Sequence, residues 1–180
     1  MRHAGNLLFL LGSACWSGAV SSGPGLFGWY EARALKHSTN YGRAPAATAL
    51  RPHDVIGRLA IPRLRVSAVV VEGDDCAALR FGAGNVPGTS LPAHLGNGGI
   101  AAHRDTIFRQ LRNIAIRDDI QFITTGGSYN YRVTSTEIVR PEDTGVLDGS
   151  RGEELTLVTC YPFSYIGPAP LRFIVHARRT

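Results

Sequence analysis

Short apolar stretches separated by glycine and proline recur from residue 55 onward, and this pattern restricts the fold more than any other feature of the chain. Residues 57–61 alternate between apolar and polar positions, residues 66–71 are rich in β-branched side chains, and residues 129–139 alternate again. Gly126 and Gly127 precede that last stretch, as is typical of a hairpin. Seven or eight short strands with one or two short helices predict a mostly β fold, a closed or nearly closed barrel.

Two short helices are expected between the strands. Residues 74–80 suit a single helical turn that Asp74 or Asp75 caps, and Asp105 is expected to cap a second helix. That second helix would place four apolar residues on one face, namely Ile107, Phe108, Leu111 and Ile114. Residues 81–97, dense in glycine and proline, are predicted to form a long loop.

The N-terminal segment predicts a membrane anchor. After Arg2 and His3 no charged residue occurs before Glu31, which leaves enough uncharged length for one span of about 20 residues. We expect residues 1–30 to be a signal-anchor with Arg2 inside, residues 31–54 a linker, and residues 55–180 a catalytic domain outside the cell membrane. Alternatives are a cleaved signal peptide, a lipoprotein acylated at Cys15, and a buried helix of a soluble core.

The charge distribution argues against nucleic-acid binding. Lys and Arg number 19 against 14 Asp and Glu, a net charge of +5, and the surplus consists of scattered arginines. No basic run with interleaved aromatic residues is present. A weak attraction to an anionic membrane or wall polymer is the simpler interpretation of this charge.

Residues 155–163 read as a buried strand that delivers a cysteine to its end. Thr156, Val158 and Cys160 fall on one face, and Pro162, which cannot donate to a sheet, is expected to stop the strand. A cysteine in this position is often an inert small hydrophobe. Beside a loop, however, a thiol is also well placed for chemistry.

Two further strand ends carry groups that suit a thiol nucleophile. An imidazole such as that of His103 can take the thiol proton and later protonate a leaving amine. A guanidinium such as that of Arg172 remains charged and can hold a carbonyl oxygen as it becomes an oxyanion. Taken singly, His103 reads as a structural hydrogen-bonding residue and Arg172 as a solvated surface arginine. Together with Cys160 they suit acyl transfer through a thioester.

Several motifs make residues 55–177 resemble a sortase, most closely the class D group. They are Gly82-Ala83-Gly84, Pro87-Gly88-Thr89, His103-Arg104-Asp105-Thr106, the stretch 155–163 with its Thr-x-Thr-Cys order, and Ala169-Pro170-Leu171-Arg172-Phe173. The resemblance implies a closed eight-stranded sortase-type β-barrel. It also implies His103, Cys160 and Arg172 as catalytic residues, with Thr159 and Tyr161 beside the substrate.

The resemblance further implies a cysteine transpeptidase. Cys160 would cleave a sorting motif similar to Leu-Pro-x-Thr-Gly in secreted proteins, and the acyl group would pass to an amine on a cell-wall precursor or another protein. One departure concerns Ala102, where the family often has glycine, because its methyl group is expected to narrow the approach to His103. No cofactor and no metal are expected.

The principal alternative is a non-catalytic sortase-like barrel that acts as a surface binding module. A papain-like protease fits less well, since such enzymes place the cysteine before the histidine. Cys76 is predicted to be an incidental free thiol, although a disulfide with Cys160 would disable the enzyme. His94 and His176 are expected at the surface, and no histidine and cysteine pair has the spacing of a zinc site.

Overall fold

The computed structural model describes residues 50–180, and the structural statements below concern this part of the chain. It contains eight strands: β1 (Val55–Ile61), β2 (Val66–Glu72), β3 (Ala83–Asn85), β4 (Gly96–Ala101), β5 (Asp119–Thr124), β6 (Gly127–Val139), β7 (Glu153–Tyr161) and β8 (Leu171–Arg179). One α-helix, α1 (Cys76–Phe81), and three 3₁₀ helices, Pro62–Leu64, Ile107–Asn113 and Thr144–Leu147, lie between them.

The eight strands close into a barrel in the order β1-β2-β3-β4-β7-β8-β6-β5, with β5 returning to pair with β1. Most neighbours are antiparallel, whereas β2 pairs with β3 and β4 pairs with β7 in parallel. A parallel pair requires a crossover connection, and α1 provides the one between β2 and β3. The predicted mostly β fold with a closed eight-stranded barrel and short helices is therefore confirmed.

The two faces of β7 bury different sets of side chains. Leu155 and Leu157 point into the barrel and join the main hydrophobic core. Val158 lies on the opposite face and packs with Ile174 of β8 in a second, smaller core cluster. That cluster also contains Leu79 of α1, so the helix covers part of the outer face of the barrel. The alternation of side chains along β7 thus separates an inner face from an outer face that a helix partly encloses.

Helix α1 begins at the predicted cap, whereas the second predicted helix differs. The Asp75 side chain accepts a hydrogen bond from the Ala78 backbone N–H at 2.9 Å, which satisfies a donor of the first turn. The segment Ile107–Asn113 is a 3₁₀ helix with Thr106 at its N-cap and no side-chain cap bond. Asp105 is exposed and does not cap it, so that expectation was wrong.

The segment predicted as one long loop contains β3, which was missed. Its three residues, Ala-Gly-Asn, lack any alternation that would mark a strand. They form a strand because β2 and β4 supply hydrogen-bonding partners on both sides. Gly84 permits this close packing: a Cβ atom there would lie 2.0 Å from the Gly73 carbonyl oxygen.

A row of polar side chains crosses four strands on the outer face. The Thr156 hydroxyl donates to Asn97 Oδ1 at 2.8 Å and lies 3.2 Å from His176 Nδ1, and His176 Nε2 lies 2.9 Å from Glu137 Oε1. The Asn97 amide in turn donates to the carbonyl oxygens of Val146 and Asp148. His176, predicted at the surface, is instead partly buried within this row.

The predicted membrane anchor, residues 1–30, and most of the predicted linker lie outside the described residues. Between residues 50 and 180 there is no helix with the length and apolar character needed to cross a bilayer.

Candidate active site

The strand register brings the three predicted catalytic residues onto one row. In the parallel pair of β4 and β7, Ala101 lies opposite Val158, an offset of 57 positions, and the same offset separates His103 from Cys160. On the other side of β7, Cys160 lies directly opposite Arg172 of β8. Adjacent strands are about 4.8 Å apart, so the backbone positions of His103, Cys160 and Arg172 follow one another across neighbouring strands.

Two hydrogen bonds carry the alignment past the last residue of β4. The Ala102 N–H donates to the Val158 carbonyl oxygen at 3.2 Å, and the Thr159 hydroxyl donates to the Ala102 carbonyl oxygen at 2.8 Å. Ala102 is therefore attached to β7 just before Cys160, and His103 is the next residue. Thr159 is fully buried in making this bond, and its predicted contact with substrate stays a prediction.

The methyl group of Ala102 lies away from the imidazole face. Ala102 is fully buried and belongs to the main core inside the barrel, whereas Ala101 belongs to the outer cluster with Val158. Because successive side chains alternate, His103 follows on the outer side, where Cys160 also lies. The burial of Ala102 in the main core argues against a narrowed approach to His103, and the effect of this methyl group stays a prediction.

Arg172 is buried where β8 begins, and it holds the end of the preceding loop. Its Nη1 donates to the carbonyl oxygens of Ala169 at 3.1 Å and Leu171 at 2.9 Å. Burial lowers the pKa of Arg172 from its usual value; the Cys160 sulfur opposes this effect, and the charge of Arg104 adds to it. Arginine nevertheless keeps its charge in proteins, so Arg172 places a desolvated cation beside the thiol.

Cys160 is a free, partly buried thiol. This excludes the alternative of a disulfide between Cys76 and Cys160. Cys76 itself is disulfide-bonded, so its prediction as an incidental free thiol was wrong. A free thiol opposite a guanidinium, with an imidazole two residues past the end of the neighbouring strand β4, forms the set of groups needed for nucleophilic acyl transfer.

Aromatic side chains surround the start of the loop that follows Cys160. Tyr161, Phe163 and Phe173 contact one another, with ring centroids 5.3 to 6.3 Å apart. Tyr161, predicted beside the substrate, is partly buried in this cluster. The cluster fixes the direction in which the chain leaves β7.

Arg104 is a part of this site to which sequence reasoning gave no role. Its Nη2 donates to the carbonyl oxygens of Tyr165 and Gly167, and its guanidinium carbon lies 5.9 Å from the Tyr165 ring centroid. The only available signal was its position next to His103. Its contacts depend on the position of a loop 61 to 63 residues later in the chain, which the local sequence does not specify.

A cavity of about 360 Å³ lies apart from the row of predicted catalytic residues. It is lined by Leu50, Pro52, Glu72, Gly73, Asp74, Asp75 and Pro87, none of which belongs to that row. Burial raises the pKa of Asp74 to about 6, and the nearby charges of Asp75 and Glu72 contribute to this rise. Within residues 50–180, no group of three or more His, Cys, Asp and Glu side chains is arranged to hold a metal ion.

Comparison with known proteins identifies the family. The model of the sortase domain matches residues 59–180. The chain belongs to the sortase family. It is 33% identical over 150 residues to Sortase D of Bacillus subtilis, a match that covers 83% of this chain and 76% of the relative.

Solved structures agree with this assignment. The Clostridium perfringens Sortase D5 transpeptidase is 26% identical, with a TM-score of 0.66 over 73% of this chain and 82% of that one. Sortase C of Clostridium perfringens SM101 has a TM-score of 0.68 over 86% of this chain and 87% of that one. At 24% identity, the sortase C structure supports the fold alone. The predicted resemblance to class D sortases is confirmed.

Proposed function

We propose that this sortase is a cysteine transpeptidase that cleaves a Leu-Pro-x-Thr-Gly-like sorting motif and transfers the acyl group to an amine. The observation that carries the proposal is the shared row of His103, Cys160 and Arg172, with the thiol free and the guanidinium buried beside it. Membership of the sortase family and the likeness to a structure described as a transpeptidase support the same reaction class.

The reaction has two steps, the formation of a thioester on Cys160 and its attack by an acceptor amine. The Cys160 thiol gives its proton to His103 as its sulfur attacks the carbonyl carbon of the motif's threonine, and Arg172 stabilises the negative charge that develops on the carbonyl oxygen. As the C–N bond breaks, His103 protonates the leaving amine, which leaves a thioester on Cys160. An acceptor amine then attacks the thioester, gives a proton to His103 and forms the new amide, and Cys160 leaves as the thiolate that takes up a proton again.

The test uses the full chain with a fluorogenic peptide that contains Leu-Pro-x-Thr-Gly and with triglycine as the amine. We expect cleavage, a ligated product when triglycine is present, and a mass increase on Cys160 that equals the acyl fragment. Cys160→Ala is expected to abolish all three, and Arg172→Ala to lower the rate by about 10²–10³. Full activity of Cys160→Ala would refute the proposal.

The mass of the protein after incubation with the peptide also distinguishes this proposal from a non-catalytic binding module. Such a module would bind the peptide without a covalent adduct on Cys160. The free Cys160 thiol and the burial of Ala102 in the main core support the enzyme over a binding module.

We further propose that residues 1–30 anchor the enzyme in the cell membrane with its catalytic domain outside. The uncharged segment between His3 and Glu31 supports this placement, and the net charge of +5 suits an anionic envelope. The partners would then be secreted proteins with a C-terminal sorting motif and an amine of a cell-wall precursor or another protein. Fractionation of cells that express the chain with and without residues 1–30, with protease added to intact cells, tests this proposal. Recovery of the full chain in the soluble fraction would contradict it.

A further inference from the structure

We propose that Arg104 is a positioning residue that holds the β7–β8 loop, residues 162–170, and through this loop the catalytic Arg172. The role for catalysis rests on the transpeptidase function proposed above, whereas the role in holding the loop does not. The position of this loop matters for the site because the loop connects the strand that carries Cys160 to the strand that carries Arg172.

The contacts of Arg104 converge on the middle of the loop. Nη2 lies 2.5 Å from the Tyr165 carbonyl oxygen and 3.0 Å from that of Gly167, and the guanidinium also faces the Tyr165 ring. Both hydrogen bonds reach the loop from a residue that lies outside it, 61 and 63 positions earlier in the chain. Gly167 has a φ of +104°, a conformation that the Arg104 bond helps to hold.

The end of the same loop is held by Arg172. Its Nη1 donates to the carbonyl oxygens of Ala169 and Leu171, only two and four residues beyond Gly167. A shift of the loop at Tyr165 and Gly167 therefore displaces the acceptors that orient the Arg172 guanidinium. Arg104 is also close enough for its charge to lower the pKa of Arg172. Geometry and charge thus both couple the two arginines.

A role in fold stability alone does not account for the environment of Arg104. Its Nη1 is buried and has no hydrogen-bond partner within residues 50–180, and leaving a buried donor unpaired is unfavourable. The other nitrogen of the fork is used for two loop carbonyls. A lysine would keep the charge, but it lacks the planar fork that stacks on Tyr165 while donating to both carbonyls.

The experiment compares Arg104→Lys and Arg104→Gln with the full-length wild-type chain. Arg109→Gln is the matched control, because Arg109, six positions after His103, is an exposed arginine whose side chain makes no hydrogen bond or ion pair within residues 50–180. Amide hydrogen exchange of residues 163–169 measures the loop without any substrate. Peptide cleavage measures kcat and KM separately, and the midpoint of thermal unfolding shows that each variant is folded.

Both Arg104 variants are expected to exchange the loop amides at least about tenfold faster than the wild type, while Arg109→Gln leaves them unchanged. Both are expected to lower kcat about tenfold with a smaller change in KM, as for loss of an interaction needed in the transition state. If Arg104→Gln does not fold, Arg104→Lys and Tyr165→Ala, which removes the stacking partner, carry the test.

Three results would overturn the proposal. Wild-type loop exchange in Arg104→Lys would show that the fork does not hold the loop. Loss of activity in Arg104→Gln alone, with full activity in Arg104→Lys, would assign the effect to charge rather than position. Faster exchange of the loop with unchanged kcat would separate the loop from catalysis. Absence of peptide cleavage by the wild type would instead refute the proposed function and leave the exchange result to decide the loop contact.

Discussion

Replacing Asp74 with asparagine is expected to stabilise the protein at neutral pH. Asp74 is 7% exposed, at the end of β2 before α1, and burial raises its pKa from the ordinary 3.8 to about 6. Glu72 and Asp75 add negative charge nearby, and His53 faces this cluster through its contact with Asp75. An ionised Asp74 is therefore disfavoured in the folded state, and asparagine has the shape of the neutral acid without its titration.

The magnitude follows from the two pKa values. Each pKa unit corresponds to 1.36 kcal/mol, so a rise from 3.8 to about 6 corresponds to about 3 kcal/mol at most. Between these values the folded state binds more protons than the unfolded state, so stability falls as pH rises through this window. We expect Asp74→Asn to gain about 1–3 kcal/mol over the wild type at pH 7.5 and nothing below pH 4.

Urea unfolding of both proteins between pH 3.5 and about 7.5 measures this difference, because general effects of acid on the chain cancel between them. Asp75→Asn is the matched control. The pKa of Asp75 is lowered, first by the hydrogen bond that its side chain accepts from the Ala78 N–H and also by His53. Its contribution to stability is therefore present above the ordinary pKa and lost in acid, so this variant is expected to lose stability at pH 7.5. An equal unfolding free energy for Asp74→Asn and wild type at pH 7.5, or a gain that grows toward acid, would refute the reasoning.

Two other substitutions test packing and charge in the barrel. Arg63→Ala is expected to destabilise the protein near neutral pH, because Arg63 donates to the buried carboxylate of Asp118. Arg63 lowers the pKa of Asp118, so the loss of stability in Arg63→Ala should shrink in acid as the carboxylate is protonated. Urea unfolding at pH 7 and pH 3 measures this loss. An equal loss at both pH values would contradict the importance of the pairing. Gly84→Ala is expected to destabilise by about 1–3 kcal/mol or more, since its Cβ would lie 2.0 Å from the Gly73 carbonyl oxygen. Gly149→Ala, whose Cβ meets nothing within 4 Å, is the control, and equal unfolding midpoints for the two variants would contradict the packing argument.

The barrel was predictable because most of its strands carry their own pattern. In β6 the alternation of apolar and polar side chains specifies which face is buried, whereas β7 buries both faces and is recognised by its run of Leu, Val and Thr. Strand β3 could not be found this way, because three small residues have no pattern and depend on partners from β2 and β4. The segment Ile107–Asn113 shows an intermediate case. Its buried Phe108 and Leu111 were predicted, but its 3₁₀ geometry and missing cap were not.

The predicted catalytic residues came from motifs, whereas their support came from tertiary structure. His103, Cys160 and Arg172 were identified by residue type and order along the chain, and nothing in the spacing alone showed that they meet. The role of Arg104 was not predicted because its hydrogen-bond acceptors are backbone carbonyl oxygens, which leave no signature in a sequence. The burial of Asp74 likewise depends on how β2, α1 and the segment before β1 come together.

The alignment of His103 with Cys160 depends on strand register, and a few polar side chains support that register. A slip of one residue between β4 and β7 would move His103 away from Cys160 and turn one strand's side chains to the opposite face. The Thr159 hydroxyl on the Ala102 carbonyl oxygen opposes such a slip, as does the bond from Thr156 to Asn97. Both bonds are buried, where an unpaired partner is costly. Thr159 therefore helps to align the two strands that carry the predicted catalytic residues, whether or not it also contacts the substrate.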